Sequence, residues 1–438
     1  MITIKSVYKS YITILFFLVV LATIILPNSI VFSKQIFYVQ VLLYSLALVA
    51  FFYIKQKRNY LDVDVIFITF LTIPHFVIPF YTNSLELDIM FYRGYHSFFF
   101  IKGVMIALSG SLAYMLGSLK VESDNKKILQ VNGEWNYKNI NENLLICCVV
   151  ICIVFFTLYG GYEFYKNQYM EGVGFDTGNS RIFQATSLLT VFSNLYCSLI
   201  TIDQKGNNLK RFVYMATIFI FAISVALVGC RTLFVGIVLP YIMCFTYYKK
   251  PVNLLWTILG LMAGVALMYV LQITRQGGTS FNTSFFYLFS DMIIPGNVFF
   301  ESIGYVEKNG LNYGLSMMPP LFGCIPGLSS ILGSWTTEGS AEIMTKYLSG
   351  AGDVAGLGTT IFADIYLSFG VIGVPLFMYL LGYYANKKWR NTFYGLVINT
   401  AFFSSCLFMC RAGYFLPMRL ILWGLLFSKI CNMKIKKY

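Results

Sequence analysis

Apolar residues in this chain come in blocks rather than in alternation, and the blocks share a length. Predominantly apolar runs occupy 11–31, 36–54, 61–81, 97–117, 144–160, 182–201, 212–230, 232–248, 252–272, 359–382, 392–410 and 415–431. At a helical rise of about 1.5 Å per residue each can cross roughly 30 Å of hydrocarbon. The pattern predicts an all-α, polytopic transmembrane bundle of about twelve helices. Lys5 and Lys9 before the first run give it the look of a signal peptide, but no small-x-small cleavage site follows, so it is expected to stay as the first helix. No internal repeat is visible, which speaks against a transporter built from matched halves.

One connection breaks the rhythm of short loops. Between the ninth and tenth runs lie about 85 residues, Ile273 to Gly358, rich in Gly, Ser, Pro and aromatics and too apolar for a free linker. Asn297–Glu307 and Ala341–Leu348 have helical spacing, so the segment is expected to form short amphipathic helices over the bundle. The chain therefore divides into helices 1 to 9 (1–272), a large external loop (273–358) and helices 10 to 12 (359–438).

Composition agrees with a lipid solvent: 58% of the 438 residues are hydrophobic and 12% charged, about half the charged share of water-soluble domains. The net charge of +13 does not point to nucleic acid, because the basic residues fall in short clusters between apolar runs. They serve as topology signals. With the N-terminus inside, 21 of the 32 basic residues share its face, as the positive-inside rule requires, and both termini are cytoplasmic. The ten Cys lie mainly within apolar runs without CxxC pairs, and read as inert buried thiols rather than metal ligands.

The arginines do not follow the lysines. Six of the nine, Arg93, Arg181, Arg231, Arg275, Arg411 and Arg419, fall on the external face, where topology disfavours positive charge. A guanidinium fork matches phosphate oxygens bidentately, whereas an ammonium is a hydrated point charge, so an anionic, phosphorylated external ligand is implied. Arg231 and Arg419 lie at membrane depth, where snorkelling to headgroups or pairing with a carboxylate is the alternative to binding. Among the external carboxylates Asp364 stands out, because it lies just inside the tenth run and must be matched or used as a base. His75, after Pro74, reads as a satisfied side chain at a kink, and His96 at an external helix start as the better base.

Three elements carry a family resemblance. Gly229-Cys230-Arg231-Thr232-Leu233-Phe234-Val235-Gly236 resembles the Gly-Ser-Arg-Thr-type helix opening of O-antigen polymerases of the Wzy type. Tyr313-Gly314-Leu315-Ser316, followed by Ile325-Pro326-Gly327, resembles the Tyr-Gly-x-Ser and Ile-Pro-Arg elements of their external loop, with Gly327 standing where the family has Arg. Ala363-Asp364-Ile365-Tyr366-Leu367-Ser368-Phe369-Gly370-Val371-Ile372-Gly373 is similar to the acidic-x-Tyr-x-x-Phe-Gly-x-x-Gly pattern of the next helix. Together they span 229–373, about a third of the chain. O-antigen ligases share the layout and usually carry His where this chain has Thr359.

The resemblance implies a glycosyltransferase of the bacterial inner membrane that joins undecaprenyl-diphosphate-linked repeat units on the periplasmic face. Its partners would be those glycans, the bilayer and a protein regulating chain length. Diphosphate is a competent leaving group, so the protein positions two carriers and stabilises departing charge; the external arginines suit that without a metal or cofactor. Asp364, Glu338 and His96 are the candidates for general base. A ligase of the same layout and a lipid-linked oligosaccharide flippase or other transporter are the competing readings.

Overall fold

The computed structural model describes residues 4–56, 59–77, 79–80, 97–125, 141–170, 180–202, 208–275, 290–325, 328, 338–349, 358–387, 393–411 and 415–431. Among the described residues every regular element is helical. Six helices are long and apolar enough to cross a membrane, and a seventh span forms if the bent pair Glu142–Leu158 and Gly161–Asn167 counts as one. That bend of 57° follows from Gly160, whose φ of 70° lies in the left-handed region.

Helix α1 (Ile4–Ile25), α2 (Lys34–Lys55) and α3 (Val63–Thr72, continued by a π turn at Ile73–Val77) precede the long α4 (Phe100–Asn125). Next come α5 (Glu142–Leu158), α6 (Gly161–Met170), α7 (Ser180–Ile202), α8 (Asn208–Leu227), α9 (Arg231–Tyr248) and α10 (Leu254–Arg275). The loop region holds α11 (Ser290–Asn309), a 3-10 turn at Leu315–Met317, α12 (Met318–Phe322) and α13 (Ser340–Ser349). The chain closes with α14 (Ile361–Asn386), α15 (Phe393–Met409) and α16 (Leu416–Cys431). Every apolar run read from the sequence overlaps one of these helices.

The hub is α4, buried along almost its whole length. Gly103, Gly110 and Gly117 recur every seven residues on it and meet, in order, Phe300 of α11, Phe362 and Val374 of α14, and the backbone of α14 at Tyr379. Gly382 returns the contact against the backbone at Tyr114. Such small residues let helices approach closely where lipid and protein are equally apolar. From the Gly110–Val374 contact to the Gly117–Tyr379 contact both residue numbers rise, so α4 and the longer half of α14 run in the same direction.

Several polar groups inside the bundle are matched by partners from other helices. Pro240 within α9 cannot donate to Gly236 O, and the Ser404 hydroxyl of α15 supplies that bond at 2.6 Å. Buried Lys102 donates to the Thr23 and Leu26 carbonyls at the C-terminal end of α1, where four orphan carbonyls need donors. At the opposite end of the bundle Asp64 pairs with Lys55 at 3.1 Å and accepts from Tyr114 and Ser118.

Both stretches of helical spacing in the long loop are helices, but α11 does not lie over the bundle as expected. Its residues 295–304 are buried, with Phe299 and Phe300 wedged against the π turn, α4 and α14. Gly304 makes the entry possible, since a Cβ there would strike the Phe99 ring. Val298, Met344 and Leu367 then tie α11, α13 and α14 into a small second core.

Candidate functional site

The site grows from an interruption in α14. Thr360 caps the helix, its hydroxyl accepting from the Ala363 N–H at 3.3 Å. Residues 361–368 are all buried. At Gly370 the backbone turns to φ 64°, ψ −155°, a region open essentially to glycine alone. The helix thus splits into a half of about nine residues and a longer half of sixteen, the latter about 24 Å long, which is short of a bilayer core. Irregular backbone within an apolar helix survives in a membrane only when protein covers it. Here the loop after α11 does so: the Asn312 N–H donates to Leu367 O at 2.9 Å, and Leu311 fills the space beside Gly370.

Asp364 sits in the first turn of the half-helix, 2% exposed, where the helix dipole favours a carboxylate. The same loop brings Ser316 to it. Gly314, at φ 87°, starts the 3-10 turn that carries Ser316, and the Ser316 hydroxyl donates to Asp364 Oδ1 at 2.7 Å. Ser316 Oγ is also 3.1 Å from Ser368 Oγ; with its own proton committed to the carboxylate, Ser316 accepts from Ser368. Two sequence elements 48 residues apart therefore meet in one buried hydrogen-bonded chain.

His75 supports this corner without taking part in it. Its Nδ1 lies 2.7 Å from Leu71 O, which can only accept, so Nδ1 carries the proton and Nε2 accepts from the Thr360 hydroxyl at 3.1 Å. Phe299 and Phe362 enclose the ring edge-on. The π turn thereby holds the capping residue of the half-helix, as befits a satisfied side chain at a kink.

The arginines divide. The Ile361 N–H donates to Cys410 O at 3.1 Å, so the turn bearing exposed Arg411 abuts the start of the half-helix. Arg419, half-buried at the start of α16, lies over the Trp423 ring, and its shielded Nε has no hydrogen-bond partner among the described residues. Trp423 in turn donates to Cys324 O at 2.9 Å, pinning the loop after α12 to α16; burial pushes the Cys324 thiol up, partly offset by the Arg419 charge. Arg181 is not part of this group: it is exposed and lies on Tyr159, its Nη1 3.4 Å from the phenol oxygen. Arg231 opens α9 at the end of the bundle where Ser404 and Phe408 approach Gly236, but its side chain, that of Arg275, and the whole of Arg93 and His96 lie outside the described residues.

Glu338 does not fit the part of a buried base. It is exposed and ion-paired with Lys346, eight residues on, in a solvent-screened contact of little energetic weight. Sequence reasoning passed over Ser368, Asn312 and the His75–Thr360 bond; the glycine in Phe369-Gly370 was the one visible sign of the break that organises them. Among the described residues no three His, Cys, Asp or Glu side chains converge as a metal site would require. The chain matches no family model, no curated protein and no solved structure.

Proposed function

We propose that this protein is a membrane-embedded glycosyltransferase that polymerises undecaprenyl-diphosphate-linked oligosaccharide repeat units on the periplasmic face of the bacterial inner membrane, with about twelve spanning helices and both termini in the cytoplasm. The observation that carries the reading is the Ser316–Asp364 bond. It joins two of the three motif elements through a carboxylate buried at a helix start.

In this reading the acceptor hydroxyl attacks the anomeric carbon of the donor sugar. Its proton passes to Asp364, while the bond from that carbon to the diphosphate breaks and the electron pair leaves with the phosphate oxygen. Ser316 fixes the carboxylate rotamer. Arg411 and Arg419, on the hairpin that adjoins the half-helix, balance charge growing on the diphosphate. Deleting the gene is expected to leave surface lipid capped by single repeats; a normal long-chain ladder in the deletion strain would remove the polymerase from consideration, and loss of all linked glycan would indicate a ligase.

The interrupted α14 favours a second reading, since discontinuous helices build substrate sites in transporters. Purified protein in sealed vesicles separates the two: elongation of lipid-linked repeats supplied on the outer face belongs to the polymerase, and movement across the bilayer without elongation to a flippase.

A further inference from the structure

The loop that covers the break in α14 carries more than Ser316. Between Gly310 (φ 79°) and Gly314 (φ 87°), Tyr313 is held at φ 48°, a left-handed conformation that a bulky side chain adopts only under constraint. Backbone bonds impose it: Asn312 N–H to Leu367 O, Leu315 N–H to Asn312 O at 3.0 Å, and Met317 N–H to Gly314 O at 3.0 Å. The constrained ring makes no compensating burial, because Tyr313 is 79% exposed.

Its neighbours point to what it faces. Asn312 has both amide atoms shielded from solvent, and neither has a hydrogen-bond partner among the described residues. An amide without partners in such surroundings is rare unless a ligand or ordered group completes it. Phe369, beside Gly314 and 40% exposed, adds a second aromatic edge. Three residues beyond Tyr313, Ser316 reaches Asp364. An aromatic face, an amide offering one donor pair and one acceptor, and hydroxyl and carboxylate groups close by together suit a ring with apolar C–H faces and an equatorial belt of hydroxyls.

We propose that Asn312 and Tyr313 form a saccharide subsite, with the Tyr313 ring as the stacking platform and the Asn312 amide as the hydroxyl partner, so that a sugar bound there projects toward Asp364. This deepens the glycosyltransferase reading and rests on it for the identity of the lipid-linked substrate. The competing role for Tyr313 is an anchor in the headgroup layer, which needs no sugar.

The test uses the full chain in nanodiscs and two probes: lipid-linked saccharide extracted from cells lacking the gene, and sugar-free undecaprenyl diphosphate. Tyr313→Gly removes the ring and relieves the backbone. It is expected to weaken the saccharide probe by about tenfold or more, to leave the sugar-free probe unchanged, and not to lower Tm. Tyr313→Trp should restore saccharide binding, and Asn312→Ala should repeat the selective loss. Equal binding of the saccharide probe to wild type and Tyr313→Gly overturns the subsite, as does an equal loss for both probes or a fall in Tm, which mark an anchor. Wild type that elongates repeats while Tyr313→Gly binds them as well defeats only the subsite. Selective loss in Tyr313→Gly together with a wild type that never elongates defeats only the polymerase.

Discussion

At the scale of single residues, Asp364 and Glu338 show how burial separates two carboxylates that look alike in sequence. Glu338 is matched by a flexible lysine in solvent, so its charge is balanced wherever the chain goes. Asp364 is enclosed, accepts the Ser316 hydrogen bond and lies at a helix start. Asp364→Asn keeps the shape and leaves an oxygen to accept from Ser316, but cannot take up a proton. Elongation is expected to fall by about 10²-fold or more with little change in Tm. Ser316→Ala should cost less, on the order of tenfold, since it frees a rotamer rather than deleting the base. Both are read from single-turnover elongation of lipid-linked repeats, and a fully active Asp364→Asn would move the base elsewhere. Asp364 could be singled out in sequence because a charge inside an apolar run is conspicuous. Ser316 and Ser368 could not be paired with it, because serine is ordinary in helices and loops alike and their meeting depends on a closure over 48 residues.

At the scale of elements, the apolar blocks were legible because a bilayer imposes a length on any helix that crosses it; each block overlaps a helix, and six of these helices, or seven with the bent pair, are long and apolar enough to cross. Breaks within a block were not legible. Hydropathy averages over Gly370 and Pro240 alike, yet Pro240 leaves α9 a single helix, with Ser404 meeting the freed carbonyl, while Gly370 divides α14. The difference lies in φ and ψ, which no average reports. Gly370→Ala tests it. A methyl there would make only ordinary contact with Leu311, at 3.5 Å, so the penalty belongs to the backbone and should reach about 1–3 kcal/mol. Thermal unfolding in detergent should show it as a lower Tm together with reduced elongation, since the half-helix must shift to relax. An unchanged Tm would mean that α14 runs straight through residue 370.

At the scale of the whole molecule, α4 and α10 read alike as apolar runs, yet α4 is buried along almost its whole length and the described side chains of α10 are mostly exposed. Hydropathy measures transfer out of water, and the interior of a bundle and the lipid around it are equally good destinations. What tells them apart is whether small residues meet a neighbour. Gly117 and Gly382 lie against the backbones of Tyr379 and Tyr114, so a methyl on either would strike a carbonyl that cannot rotate away. A methyl on Gly110 would come within 2.5 Å of the Phe362 ring, a side chain that can yield at some loss of packing. Gly260 on α10 has nothing within 4 Å. Alanine at each position therefore forms a graded series in which chemistry is constant and only surroundings change. Gly117→Ala is expected to separate α4 from α14 and yield little folded protein. Gly110→Ala should fold with a lower Tm, and Gly260→Ala should match wild type or gain slightly from helix propensity. Fluorescence-detected size exclusion with thermal challenge measures all three on one scale. If Gly117→Ala proved as robust as Gly260→Ala, the parallel α4–α14 seam could not be the scaffold on which the half-helix and its carboxylate are held.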